Sequence, residues 1–172
     1  MILNNYNITL ETLSEDKLEI LRLWRNNEYV SKYMEFKEEI SKQQQINWFT
    51  NINQEKEYYF IISKENVLIG LIHINKINAE ERNGEVGLFI GNKNFAGTGI
   101  TIGASLNLLD FAFEKLQLKE VFAKINNANN NAIKYNSFLG FSSSHSLNNE
   151  FTLWKLTKES YQYSKAKLVN YI

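Results

Sequence analysis

The chain has 172 residues, 44% of them hydrophobic and 22% charged, enough for one domain with a full core and short for two. Its 19 lysines and arginines equal its 19 aspartates and glutamates, and a zero net charge argues against a non-specific nucleic-acid binder. With no cysteine and only His73 and His145 as histidines, the composition excludes a disulfide framework, a thiolate nucleophile and a thiolate or histidine-rich metal centre.

In chain order, Tyr6 to Leu13 alternates weakly and predicts a first strand. Thr12-x-x-Glu15 has the pattern of a capping box, and Leu18, Leu21 and Trp24 then recur at helical spacing. A second box, Ser41-x-x-Gln44, precedes a helix carrying Ile46, Phe49 and Ile52. Tyr58 to Ser63 and Val67 to Ile77 read as strands joined through Lys64-Glu65-Asn66, and Asn83 to Ile90 as the next strand. A long helix follows with Ile102, Leu106, Leu109, Phe113 and Leu116 on one face. Glu120 to Ile125 is a short strand and Asn130 to Leu139 a short helix stopped by Gly140. Phe141 to Ser146 and Glu150 to Thr157 form a closing pair of strands before a terminal helix. This order predicts a mixed α+β fold, one domain over residues 1–172 with a central mixed sheet flanked by helices. The N-terminal residues lack a basic region followed by an apolar core, and no apolar run approaches the roughly 20 residues of a membrane span. A soluble, cytoplasmic protein with no membrane partner is expected.

The richest stretch is Gly84-Glu85-Val86-Gly87-Leu88-Phe89-Ile90-Gly91, then Asn94-Phe95-Ala96-Gly97-Thr98-Gly99-Ile100. It is a strand that stops at a glycine turn and enters a helix. Such a turn lets backbone N–H groups converge on an anion, and the helix dipole adds partial positive charge. A phosphate-bearing ligand is implied. Gly97 to Gly103 also fits a loose dinucleotide pattern with Glu120 about 20 residues on. That motif belongs after a first strand, whereas four candidate strands precede this turn. No Gly-Lys-Ser/Thr follows, which excludes a nucleoside-triphosphate loop.

Gly97-Thr98-Gly99-Ile100, Ala104 and Leu109-Asp110-Phe111-Ala112-Phe113, with Asn129-x-x-Ala132 and Leu139-Gly140-Phe141, resemble the two cofactor motifs of the GNAT superfamily of N-acetyltransferases. Leu23-Trp24-Arg25-Asn26, Val30, Met34, Ile40-Ser41 and Trp48-Phe49 resemble the branch of ribosomal-protein N-terminal acetyltransferases and amino-sugar-nucleotide N-acetyltransferases. The resemblance implies acetyl-CoA as co-substrate, no metal, and a primary amine as acceptor, foremost a small amine such as an amino-sugar nucleotide. A protein or peptide N-terminus is the alternative within that class, and a catalytically silent acyl-CoA-binding module the alternative outside it. The family commonly has Arg or Gln where Ala96 stands, Gly or Ala where Thr101 stands, and Tyr where Asn136 stands, with Tyr135 one position earlier.

The resemblance further implies that Leu88, Phe89 and Ile90 offer backbone to the pantetheine and the oxyanion, and that Ala96, Gly97, Thr98, Gly99, Ile100 and Thr101 cradle the pyrophosphate. Glu85, the only carboxylate of its strand, is the candidate base, acting directly or through water, unless it is solvated or paired with Arg82. Tyr135 is the candidate proton donor to the thiolate or else an aromatic packed under the sheet. Asn129 either touches cofactor or caps the short helix. On the acceptor side stand Arg25, whose fork suits a phosphate or helix carbonyls, Trp48 as a groove wall, and His73 as a lining residue or alternative base. A monomer or homodimer is expected.

Overall fold

The weakly alternating N-terminal stretch folds as two strands. In the computed structural model, which describes residues 1–172, β1 (Ile2–Asn5) and β2 (Ile8–Thr12) pair antiparallel around Tyr6 and Asn7. Both turn residues have positive φ, 55° and 56°, the geometry that suits a two-residue hairpin to the twist of its strands. The first capping box does not form, because Thr12 ends β2 and its hydroxyl donates to Met1 O at 3.1 Å. A 3-10 turn over Glu15–Lys17 leads instead into α1 (Leu18–Asn26), with α2 (Glu28–Ser31) after it. The second box is complete. Ser41 Oγ accepts from Gln44 N at 3.2 Å, Gln44 Oε1 accepts from Ser41 N at 2.8 Å, and α3 (Lys42–Thr50) begins there. Along α3 it is Gln45 that is buried, while Ile46 is 42% exposed.

The remaining elements are β3 (Tyr58–Lys64), β4 (Val67–Asn78), β5 (Asn83–Ile90), α4 (Ile100–Asp110), β6 (Glu120–Asn126), α5 (Asn130–Leu139), β7 (Ser142–Ser146), β8 (Phe151–Thr157) and α6 (Lys158–Leu168). One eight-stranded sheet runs in the order β1-β2-β3-β4-β5-β6-β8-β7, antiparallel everywhere except between β5 and β6. Alternation sorts its residues onto two faces. Phe60, Ile62, Ile72, Ile74, Val86 and Leu88 join the main core beneath α4, and Ile61 and Leu71 join Leu18 and Leu21 of α1 in a smaller one. The second face therefore also carries Tyr59, His73, Asn75, Glu85 and Gly87. No helix is long and apolar enough to cross a membrane.

The predicted apolar stripe understates α4, which is enclosed all round, Gly103 to Leu109 being buried without a break. Its polar residues are satisfied. Asn107 Nδ2 donates to Leu3 O at 3.0 Å, pinning the N-terminal hairpin. At the end of α4, Asp110 accepts from Tyr6 Oη at 2.5 Å, Tyr161 Oη at 2.6 Å and Lys165 Nζ at 2.6 Å. Phe111–Lys115 then continue as one wider π turn. At the end of α5, Gly140 takes the left-handed conformation expected of a C-cap, with φ 99°.

Candidate active site

Strands β5 and β6 pair only over Asn83–Glu85 and Glu120–Phe122, and then part. Gly91 N donates to Ile69 O at 2.9 Å, one step beyond the Gly70–Ile90 pair. Hydrogen bonding alternates along an antiparallel pair. Val86, Leu88 and Ile90 therefore turn their N–H and C=O groups away from β4, toward the gap. Phe89 does the reverse, spending its backbone on β4 and packing its ring against the smaller core. The gap is an open sheet edge inside the molecule, able to accept an extended amide-bearing chain.

Beyond β5 a 3-10 turn over Lys93–Phe95 leads to the glycine loop. Gly97 sits at φ 73°, where an L side chain is strained, and Ala96 to Gly99 are exposed. The N–H groups of Gly97, Gly99, Ile100 and Thr101 donate to no acceptor in the chain, whereas Thr98 N reaches Phe95 O at 3.4 Å. Free N–H groups at the start of an eleven-residue helix fit a pyrophosphate. The chemistry fits without a side-chain donor at Ala96.

Asn129 is an N-cap, its Oδ1 accepting from Ala132 N at 3.1 Å. Tyr135 Oη donates to Thr101 O at 2.7 Å and lies 2.7 Å from Ser105 Oγ, which completes the contact by donating to the phenol. Burial pushes that phenol up to about 12. Asn136 also lines the cavity, with its amide donating to Ala132 O at 2.9 Å. The ring thus braces α5 against the first turn of α4, a role sequence alone did not suggest.

The gap opens into a cavity of about 1250 Å³ that crosses the sheet edge and continues over the second face. Its far half is roofed by residues 32–40. Asn26 holds Ile40 through both backbone groups, at 2.9 Å each, and Glu35 meets Lys124 at 2.6 Å. Glu85 is here, its Oε2 accepting from Lys76 Nζ at 2.8 Å. The expected alternative partner, Arg82, is engaged with Gln117 O. Of the adjacent pair Trp48 and Phe49, Trp48 lines the cavity, edge-on to Tyr59 with ring centroids 4.9 Å apart.

Arg25 does not cap helix carbonyls. It makes no hydrogen bond or ion pair, and its Nε is buried without a partner. Burial pushes its guanidinium below the usual value. His73 stands opposite Gly87, so close that a Cβ there would lie 2.4 Å from its ring, which requires glycine at 87. Burial, with the charges of Arg25 and Lys76, pushes the imidazole down to about 4. His73 is therefore neutral at pH 7. Because its folded value lies below 6.5, its contribution to stability is complete above pH 6.5 and is lost as pH falls toward 4. The difference in urea stability between wild type and His73→Gln should change by about 3 kcal/mol across that window, and a flat difference would show an ordinary histidine.

Sequence reasoning missed Tyr59, Asn75, Gly87 and Ser105. Once His73 is flagged, period-two alternation places Asn75 beside it and Tyr59 across from it, so that signal was present.

Residues 7–142 match the family model described as an acetyltransferase (GNAT) domain. The chain is 26% identical over 140 residues to an uncharacterized N-acetyltransferase, p20, of Bacillus licheniformis, covering 78% of each. It is 25% identical over 138 residues to the uncharacterized protein MJ1062 of Methanocaldococcus jannaschii, spanning 28% of that protein's length. Among solved structures, spermidine N-acetyltransferase from Vibrio cholerae with CoA and spermine superposes with a TM-score of 0.81 at 21% identity, over 92% of this chain and 99% of that one. The apo form of FdhC, a nucleotide-linked sugar GNAT, superposes with a TM-score of 0.82 at 19% identity, over 99% and 98%. At these identities the likeness to the two structures is one of fold.

Proposed function

The chain belongs to the GNAT acetyltransferase family and is an acetyl-CoA-dependent N-acetyltransferase, and from that premise we propose that its acceptor is a small primary amine carrying an anionic group, such as an amino-sugar nucleotide. The observation that carries this reading is the unpartnered Arg25. The acceptor half holds two carboxylates, Glu35 and Glu85, and each is paired with a lysine. Arg25 and Lys32 are left without a carboxylate partner. A polycation would meet uncompensated positive charge there, whereas a phosphate would give Arg25 a bidentate partner.

In this reading acetyl-CoA lies with its pantetheine along Val86–Ile90 and its pyrophosphate on the free N–H groups of the glycine loop. Acceptor amines are mostly ammonium at neutral pH, so one proton must leave before attack. Glu85 takes it through a water on Oε1, the oxygen that Lys76 leaves free. The nitrogen lone pair then forms the C–N bond, the carbonyl electrons move to oxygen, and the N–H of Leu88 stabilises the oxyanion. Collapse breaks the C–S bond. The nitrogen loses its second proton, the thiolate gains one, and one proton in total passes to solvent. Tyr135 keeps its proton on Thr101 O and acts as the strut of the pyrophosphate loop.

Thiol release from acetyl-CoA, measured against amino-sugar nucleotides, polyamines, aminoglycosides and peptides, tests the reading. Turnover should be confined to amines bearing phosphate. In Arg25→Met, kcat/KM for such an amine should fall about 30- to 150-fold, the loss of a charge-assisted contact of roughly 2–3 kcal/mol, with the KM for acetyl-CoA unchanged. Preference for spermidine or peptides would overturn it. CoA binding with no turnover on any amine would mark a silent module.

A further inference from the structure

Every buried side-chain polar atom of the chain has a partner except two, Arg25 Nε and Asn75 Oδ1. Both residues line the acceptor half of the same cavity. An unpaired buried acceptor costs about 1–3 kcal/mol, so a fold that satisfies its other buried groups keeps this one for a ligand.

The surroundings of Asn75 restrict what that ligand is. Its Cα is the ladder partner of Glu85, and period-two alternation puts both side chains on the face that carries His73 and Gly87. Its Nδ2 donates to Tyr59 Oη at 3.1 Å, which fixes the amide plane and leaves Oδ1 pointing away from Tyr59. Just beyond it the register shifts between Asn75 and Asn78, with Lys76 at φ 50°, and that irregularity accompanies the contact of Lys76 with the Glu85 carboxylate. An unpartnered carbonyl oxygen and a carboxylate therefore stand on paired residues of adjacent strands, the carboxylate with one oxygen left free by Lys76. Both are acceptors only, and a single substrate group that satisfies both must bring two donor hydrogens, as an amine does and a hydroxyl does not.

We propose that Asn75 is the amine-positioning residue of the acceptor site, its Oδ1 taking one N–H of the substrate amine while Glu85 receives the other directly or through water. Two N–H bonds held on the β4–β5 side turn the nitrogen lone pair toward the gap where the thioester lies. The assignment also gives the site a preference for amine over hydroxyl, since a hydroxyl has one hydrogen for two acceptors.

This rests on the acceptor reading given above, and the test separates the two. The probes are UDP-glucosamine and UDP-glucose, titrated by calorimetry into the CoA-loaded protein. Wild type should bind the amine sugar about 10-fold more tightly than the hydroxyl sugar, and in Asn75→Leu that margin should shrink to about 3-fold or less, the remainder being the Glu85 carboxylate, while affinity for CoA stays that of wild type. Asn75→Asp restores an acceptor oxygen and should restore the preference, which a purely structural role for Asn75 would not predict. Wild type binding both sugars equally, or Asn75→Leu keeping the full preference, overturns the Asn75 assignment and leaves the acceptor reading standing. CoA binding with neither sugar nucleotide bound overturns the acceptor reading, and the assignment falls with it.

Discussion

Glu85→Gln should lower kcat by about 10²- to 10³-fold, in the range that positioned acid–base groups contribute. The amide keeps the size of the side chain and a contact for Lys76, so the fold and the KM for acetyl-CoA should be those of wild type. The diagnostic is the split between the two constants: turnover falls while the KM for acetyl-CoA holds. The position argues for this outcome: Glu85 is at the last rung joining β5 to β6, where the gap begins, and its side chain is 22% exposed. A carboxylate there is in reach of both water and the open edge. A variant with unchanged turnover at every pH would reduce Glu85 to a partner for Lys76, and His73 would be the next candidate, a neutral imidazole with no hydrogen-bond partner on the same face.

Asp110→Ala should destabilise the protein by about 3 kcal/mol, the low end for breaking a buried charged contact because Lys165 is partly open to water. Three donors converge on this carboxylate, and alanine leaves Tyr6 without its acceptor while Tyr161 keeps only Leu106 O at 3.1 Å and Lys165 only Glu114 at 3.8 Å. Burial, followed by the hydrogen bond to Asp110, raises the pKa of both Tyr6 and Tyr161, so neither escapes the loss by ionising. Urea titration should show a lower midpoint with an unchanged slope, and the melting temperature should drop by about 6–12 °C for a chain of this size. Asp110→Asn keeps the shape and should lose roughly half as much. A loss under 1 kcal/mol in the alanine variant would show that the network is ornamental to stability.

What could be read from the sequence follows from which interactions are local. The boundaries of β5 and α5, the second capping box and the Gly140 cap depend on residues within a few positions of each other, and the structure has them as expected. The N-terminal hairpin was missed because Tyr6-Asn7 is not a glycine-bearing turn, and the first capping box because Thr12 was claimed by a ladder with Phe60. The enclosure of α4 was hidden in the same way: Ser105 and Asn107 look like a polar face until distant partners, Tyr135 and Leu3, satisfy them. In the site, the glycine loop was legible because its chemistry is backbone chemistry at one turn. The half of the cavity over the second face was only partly legible. Arg25, Trp48 and His73 were singled out, but the pairing that leaves Arg25 alone depends on Lys76 and Lys124 reaching carboxylates elsewhere in the fold, which no spacing encodes.

The parting of β5 from β6 has a mechanical side. Five strands stand on one side of the joint and three on the other, and only the rungs at Asn83, Gly84 and Glu85 fasten them by ladder bonds. Among the contacts that also span the two halves are the clasp at Asp110, which ties Tyr6 of the first half to Tyr161 and Lys165 behind the second, and the Glu35–Lys124 pair across the cavity. The molecule is therefore built like a book with a short spine. In the proposed binding mode a donor substrate lies between the pages, and at 100 times its dissociation constant it should add about 2.7 kcal/mol to the stability of the whole.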